Sequence, residues 1–383
     1  MSVDTLAITH YANQEVRRKL ASTVLLPSDL IIACSHTHNA PALDDRLDPV
    51  VSYCASQEDL ESVRSQSAIL IENLVAVIRA ALAAPQTTCT LDFVETEAHF
   101  SANREALPYI ETVVPVLTAR AVVGSTVLAV VFGYGCHPVA NGSLAAFDAD
   151  YPGVAALQVE AAYSQSVACF ILGTAGDQNP IGPAGPHPAT EFGTELADAV
   201  AAAVDDGPGD VLLSPIATRI EPSAKLPLEV TPTPANIAAV RSLYIERLES
   251  IDRATRLHAA ASIQRLEANT MPLFVSLPVQ SWIFGGAGLT LITLGGEVVS
   301  GFDFHLRAVL PGNVWVAAYC NEVPAYIPSD ELLSSAGYAA GWDADVPGIA
   351  GGSMIFYDWP AHFRRGAADG VEATVIATVL GLT

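Results

Sequence analysis

Apolar positions along this chain switch between a period of two and a period near 3.6, so strands and helices exchange repeatedly from one end to the other. The run DLIIACSH at 29–36 reads as a buried strand that ends in polar residues. Residues 58–83 carry Leu, Ile, Val and Ala at helical spacing and predict the longest helix. Strands are expected at 88–100, 112–123 and 125–135, then a helix near 153–163, a buried strand at 167–173 and a helix over 189–204. The stretch 205–235 is polar and interrupted by proline, which predicts a hairpin crossing or a soft boundary. Helical spacing resumes at 234 and runs to about 268, followed by strands at 273–284 and 288–294. A short helix (298–309), a strand (314–320), a Gly-rich segment (335–356) and a closing helix (359–379) complete the pattern.

This alternation implies the α/β class, with mixed β-sheets and flanking helices because several strands adjoin as hairpins. No repeat or low-complexity tract interrupts the 383 residues, and a single domain over 1–383 is expected. With 51% hydrophobic residues and only 15% charged, the chain has the apolar content to fill a core, which excludes disorder. A net charge of -23 argues against a nucleic-acid partner, since phosphates require clustered Lys and Arg. Apolar runs are broken by Gly, Pro or charge before the ~20 residues of a membrane span, so no stable membrane association is expected. The first twenty residues lack the basic and apolar regions of a signal peptide, and a cytoplasmic location is the expectation. Six cysteines are scattered without CxxC pairs, mostly in apolar runs where Cys acts as a small hydrophobe.

Chemistry concentrates at strand ends. His36 and His38 in SHTHNAP follow an apolar strand, and residues two apart on extended backbone face the same side. HxH alone fits a polar turn equally well. His137 in FGYGCHPVANG lies at the end of another apolar run, and three imidazoles after two buried strands suit a metal with an open position. Glu297 in LITLGGEVVSGFDFH stands at the start of a predicted helix, where a capping role is the ordinary reading. Asp148, Asp150 and Asp177 lie in turns. Each fits turn chemistry, and together they suggest carboxylates that orient metal-bound histidines from behind.

Six segments in order then give the chain a specific likeness. SHTHNAP, SANRE, CHPVANG with DADYPG, GTAGDQNPIGP, LGGEVVSGF and NEVPAYIPSDEL resemble successive segments of the catalytic domain of neutral ceramidases and the bacterial ceramidase-like hydrolases. The resemblance implies Zn2+ held by His36, His137, Glu297 and Tyr326, with His38 as a neighbouring catalytic imidazole and Arg104 as an active-site guanidinium. Where the ceramidases carry the serine implicated as nucleophile, this chain has Asn179, whose amide can donate to an oxyanion but cannot form an acyl enzyme. Before His36 either the family's N-terminal region is reduced or the start of this sequence is internal, and the family's C-terminal immunoglobulin-like domain is expected to be missing after Thr383.

The resulting expectation is a zinc-dependent amidohydrolase that cleaves a C–N bond of a soluble small or medium amide by metal-activated water. An esterase or lactonase using the same zinc, and a non-catalytic homologue that keeps the fold, are the alternatives. Trp342, Tyr357 and Trp359, at the end of the chain's Gly-rich region, are expected to supply apolar walls to the substrate pocket.

Overall fold

The computed structural model describes residues 1–43, 56–229, 234–286, 288–335, 357–361 and 363–383. In chain order these form β1 (Ser2–Val3), α1 (His10–Leu20), β2 (Ala33–Cys34), α2 (Gln57–Ala83), β3 (Cys89–Glu97), β4 (Ser101–Asn103), β5 (Val113–Ala121) and β6 (Val127–Tyr134). There follow α3 (Asp150–Ala162), β7 (Val167–Leu172), β8 (Gln178–Pro180), α4 (Pro186–Asp205), β9 (Asp210–Pro227), α5 (Pro234–Arg247) and α6 (Arg253–Ala268). The remainder is β10 (Phe274–Gly286), β11 (Leu289–Leu294), β12 (Glu297–Val298), α7 (Gly301–Val309), β13 (Asn313–Ala317), β14 (Tyr326–Ile327), α8 (Asp330–Ser334) and α9 (Val371–Leu382).

Eight strands form one mixed sheet in the order β13-β11-β10-β9-β3-β5-β6-β7. Its inner pairs are antiparallel, and only the edge pairs β11–β13 and β6–β7 run parallel. Along β13, Val314 and Val316 enter one apolar core while Trp315 and Ala317 enter a second. In β11, Ile292 and Leu294 join the first core while Leu289 and Leu291 join the second. Burial on both faces is why these strands read as unbroken apolar runs instead of alternating ones. The sheet curls until its two edge strands meet: the Ala318 amide just after β13 donates to the Leu172 carbonyl at the end of β7, at 2.9 Å. Side chains that leave these strand ends are thereby brought into one region.

The α/β class with mixed strands and flanking helices is observed, and most element boundaries fall within a few residues of expectation. Four differences have physical causes. The segment 205–235 is no boundary: β9 is an 18-residue strand in the middle of the sheet, paired with both β3 and β10. Many of its side chains are exposed, and Pro215 lies beside a register shift, so the strand presents neither an apolar run nor clean alternation. The helix expected from 234 to 268 is two helices, broken before Asp252, whose carboxylate caps α6 by accepting from the Thr255 amide at 2.7 Å. Residues 359–361 and 363–370 are not helical, because Pro360, Gly366 and Gly370 interrupt them and α9 begins only at Val371. The segment before His36 is structured: β1 pairs with β2, and α1 buries Ala12, Val16 and Leu20 at four-residue spacing.

Helix α2 also corrects an expectation. It is long and apolar enough, by length and composition alone, to cross a membrane. In this fold it packs Ile71, Leu74, Val75 and Ile78 inward, each worth roughly 1.5–3 kcal/mol of burial, and it lies against α1. Its polar positions reach the same neighbour, with Glu72 on Lys19 at 2.7 Å and Arg79 on the Lys19 carbonyl at 2.8 Å. The helix begins with a reciprocal cap, in which Ser56 Oγ accepts from the Asp59 amide at 3.1 Å and Asp59 Oδ2 accepts from the Ser56 amide at 2.9 Å. Ser56→Ala is expected to lower stability by about 1 kcal/mol, read as a shift of the urea midpoint at unchanged slope.

Candidate metal centre

Main-chain hydrogen bonds position the central side chains. His36 follows β2, and its amide donates to the Thr5 carbonyl at 3.0 Å; its φ of 62 turns the backbone sharply, so the imidazole leaves the strand direction. His137 follows β6, and its amide donates to the Gln178 carbonyl at 3.0 Å. Glu297 opens β12 and stands opposite Tyr326 of β14 in a parallel ladder. Close behind it passes Gly176, whose amide donates to the Val298 carbonyl at 2.9 Å. A Cβ on Gly176 would lie 2.7 Å from the Glu297 carbonyl oxygen, so only glycine allows this approach.

The two imidazoles have defined tautomers. His36 Nδ1 lies 2.5 Å from the Leu6 carbonyl, and His137 Nδ1 lies 2.7 Å from the Ala175 carbonyl. A carbonyl only accepts, so both Nδ1 atoms carry the hydrogen and both Nε2 atoms of the neutral rings present lone pairs. Those Nε2 atoms lie 3.1 Å and 3.3 Å from one and the same atom, Glu297 Oε2, which is buried and makes no hydrogen bond among the described residues. Two imidazole nitrogens and a carboxylate oxygen thus converge on one point, an arrangement that a cation between them would satisfy. The residues therefore fit a zinc ion in donor type, tautomer and direction.

Ionisation follows the same pattern. Burial pushes the His137 imidazole below its ordinary value despite Glu297 nearby, which keeps it neutral. Burial opposes ionisation of Glu297, but His36 and His137 overcome it and hold the carboxyl well below the usual carboxylate range. Burial, and then Glu297, keep the Tyr326 phenol protonated beyond its ordinary value. His38 is the most exposed of the three histidines, and its ring lies 5.2 Å from that of His36 and 5.5 Å from that of His137. Loss of surrounding water, then the two neighbouring imidazoles, lower its pKa to about 3.

Arg104 follows β4. Its Nη2 donates to the Gly176 carbonyl at 2.7 Å and lies 3.4 Å from the Tyr326 hydroxyl. Burial works against its charge, and Tyr326 and Glu297 more than offset that cost. Asn179 lies in β8 opposite Ala102, two residues before Arg104 on the facing strand. The aspartates do not orient the imidazoles, because backbone carbonyls occupy both Nδ1 positions. Asp177 instead ties the neighbouring segments together, accepting from Ser300 N (2.7 Å), Ser300 Oγ (2.9 Å) and Asn103 Nδ2 (2.8 Å). Asp148 and Asp150 brace the turns around the histidines, with Asn141 N on Asp150 at 2.8 Å and Thr37 Oγ1 on the Asp148 carbonyl at 2.6 Å. The turn that Asp148 closes leaves Leu144 and Phe147 exposed to solvent.

Of the expected apolar walls, Trp342 lies outside the described residues, as does most of the Gly-rich segment. Trp359 donates its indole N–H to the Pro324 carbonyl at 2.8 Å, two residues from Tyr326. Tyr357 does more than line a wall, for its hydroxyl donates to Glu297 Oε1. That bond fixes the carboxylate with Oε2 turned to the histidines. Tyr357→Phe is expected to weaken metal binding by roughly 10–100-fold, measured by competition with a chromogenic chelator.

Tyr319 is a site residue that sequence reading missed, because in VWVAAYC it looks like one more apolar strand position. Its ring lies 4.5 Å from that of His36 and 6.1 Å from that of His137. A second group, His305 with Glu331 and Glu372, has a different geometry. Glu372 meets His305 Nδ1, whereas Glu331 lies 3.4 Å from Nε2 on the other side of the ring. The carboxylates flank the imidazole on its two nitrogens instead of sharing one of its lone pairs.

No protein-family model matches this sequence, and no curated protein matches it. Among solved structures, the fold is similar to that of neutral ceramidase from Pseudomonas aeruginosa, with a TM-score of 0.68 and 15% sequence identity. The match covers 100% of this chain and 65% of that one. The chain thus spans about two thirds of that protein's length, and at this identity the likeness establishes a ceramidase-like fold.

Proposed function

We propose that this chain is a zinc-dependent hydrolase that cleaves the C–N bond of a small or medium amide. The observation that carries the reading is the convergence of His36 Nε2 and His137 Nε2 on Glu297 Oε2, unpartnered among the described residues. Tyr326, opposite Glu297 in the ladder, is the fourth donor of the set. When bound there, zinc supplies a Lewis acid and lowers the pKa of water toward ~7.

The remaining work falls to side chains. Arg104 is held by the Gly176 carbonyl, and its guanidinium is proposed to take a substrate carbonyl oxygen through its remaining N–H groups. Neutral His38 accepts the proton released by the attacking water and returns it to the departing nitrogen, so the nitrogen leaves as an amine. A base that starts neutral suits this order of events. Asn179 contributes an amide donor to the oxygen that gains charge.

Zinc content of the purified protein, followed by hydrolysis of a panel of short N-acyl amides, cyclic amides, acyl esters and micellar ceramide, tests the proposal. Amide turnover that stops on chelation and returns with zinc supports it. Stoichiometric zinc with turnover of esters alone would replace the amidase reading with the esterase one. The ceramide arm bears on Leu144 and Phe147, since exposed apolar side chains near a site suit an acyl chain.

A further inference from the structure

Tyr319 carries a hydroxyl that the free protein does not use. The residue is fully buried, and its hydroxyl has no hydrogen-bond partner among the described residues. Phenylalanine would fill the same space without burying an unpaired polar atom, which is ordinarily destabilising. The backbone is unusual as well, with a φ of 54 in a region where residues other than glycine are uncommon. Two main-chain bonds hold it there: its amide donates to the Gly296 carbonyl at 3.1 Å, and its carbonyl accepts from the Cys34 amide at 3.2 Å. Gly296 directly precedes Glu297, and Cys34 lies two residues before His36, so Tyr319 is fastened between the supports of two metal donors. The ionisable groups that bear on it most are Glu297, then Tyr326 and Arg104.

We infer that Tyr319 is a further catalytic residue, whose hydroxyl donates a hydrogen bond to the carbonyl oxygen of the bound substrate. This rests on the hydrolase reading above. The phenol is a neutral donor, and no acceptor among the described residues pairs with it. The acceptor that completes it arrives with the substrate. A donor held in place beforehand by a strained backbone needs no reorganisation when charge builds on that oxygen, and its contribution grows with the charge.

The test compares wild type with Tyr319→Phe in three measurements. These are zinc content, calorimetric binding of acetohydroxamate to the zinc-loaded proteins, and the Tm of the metal-free proteins. Expected are equal zinc content, hydroxamate binding weaker by roughly 10–100-fold in the variant, and a metal-free Tm that is unchanged or raised by about 1–2 °C. The Tm separates a functional hydroxyl from a structural one, since a hydroxyl already satisfied in the fold would lower Tm when removed. Equal hydroxamate affinity, wild type that does not bind the hydroxamate, or a lowered metal-free Tm overturns the inference. Wild type that holds no zinc defeats the hydrolase reading and this inference with it, and the metal content shows which has happened.

Discussion

Replacing His137 with alanine is expected to abolish metal binding and hydrolysis together. The imidazole is buried, its Nδ1–H is fixed on the Ala175 carbonyl, and its Nε2 faces Glu297 Oε2 at 3.3 Å. Losing a residue that merely orients a metal donor costs roughly 10–100-fold in affinity, so losing a donor should cost more than about 10²-fold. Folding gives a second readout. At a thousandfold excess over its Kd, a metal that binds only the native state adds about 4 kcal/mol of stability, and the variant should lose that increment, so that its melts with and without zinc coincide. Elemental analysis after dialysis and paired thermal melts with and without zinc measure both quantities. One equivalent of zinc retained by His137→Ala would sink the assignment. His36→Ala is expected to behave alike, for its Nε2 meets the same oxygen at 3.1 Å.

The second large effect concerns Asn179. If its amide stabilises the developing oxyanion, Asn179→Ala should lower kcat by roughly 10²-fold and leave zinc content unchanged. The ladder register Ala102↔Asn179 is made by the main chain, so truncation of the side chain leaves β4 and β8 paired. Asparagine cannot carry an acyl group as a serine ester would, and turnover should pass through no covalent intermediate. Mass spectrometry of a rapidly quenched reaction checks this, and an acylated Ser or Thr peptide would refute it. Serine at this position is not expected to create the covalent route, since a nucleophile also needs a base within reach.

Much of the scaffold is legible in the sequence because burial writes itself into periodicity. Helix α2, the hairpin strands β3, β5 and β6, and the doubly buried β11 and β13 all announce themselves through apolar spacing. Strand β9 does not, because many of its side chains face solvent although its backbone joins the sheet on both edges. Helix α1 is mostly polar and shows only a thin apolar stripe at Ala12, Val16 and Leu20. At the site, His36, His38 and His137 stand out as rare imidazoles at strand ends, whereas Glu297 passes for a helix cap and Tyr326 for an aromatic in a proline turn. The family resemblance puts both in one ligand set, and the ladder between β12 and β14 places them opposite each other. Tyr319 escapes, and Tyr357 reads only as an apolar wall, for a different reason: tyrosine is ordinary in cores and loops, and no local pattern distinguishes a phenol that reaches a carboxylate 60 positions away.

The Glu297↔Tyr326 ladder also bears on which ion the protein would take from a mixture. Beside Glu297 and Tyr326, which face each other in that ladder, the two imidazole nitrogens poorly serve Ca2+ and Mg2+, both of which favour shells of oxygen. Both abundant hard cations are thus disfavoured by donor type. Among first-row ions the balance is different, because Co2+, Ni2+, Cu2+ and Zn2+ all accept imidazole, and affinity for a fixed nitrogen and oxygen set peaks at Cu2+. Such a donor set would disfavour one class of ion without ranking the members of the other. Protein recovered from a copper-rich or nickel-rich medium would then carry those ions at the expense of zinc, and its occupancy would report the growth medium as much as the fold.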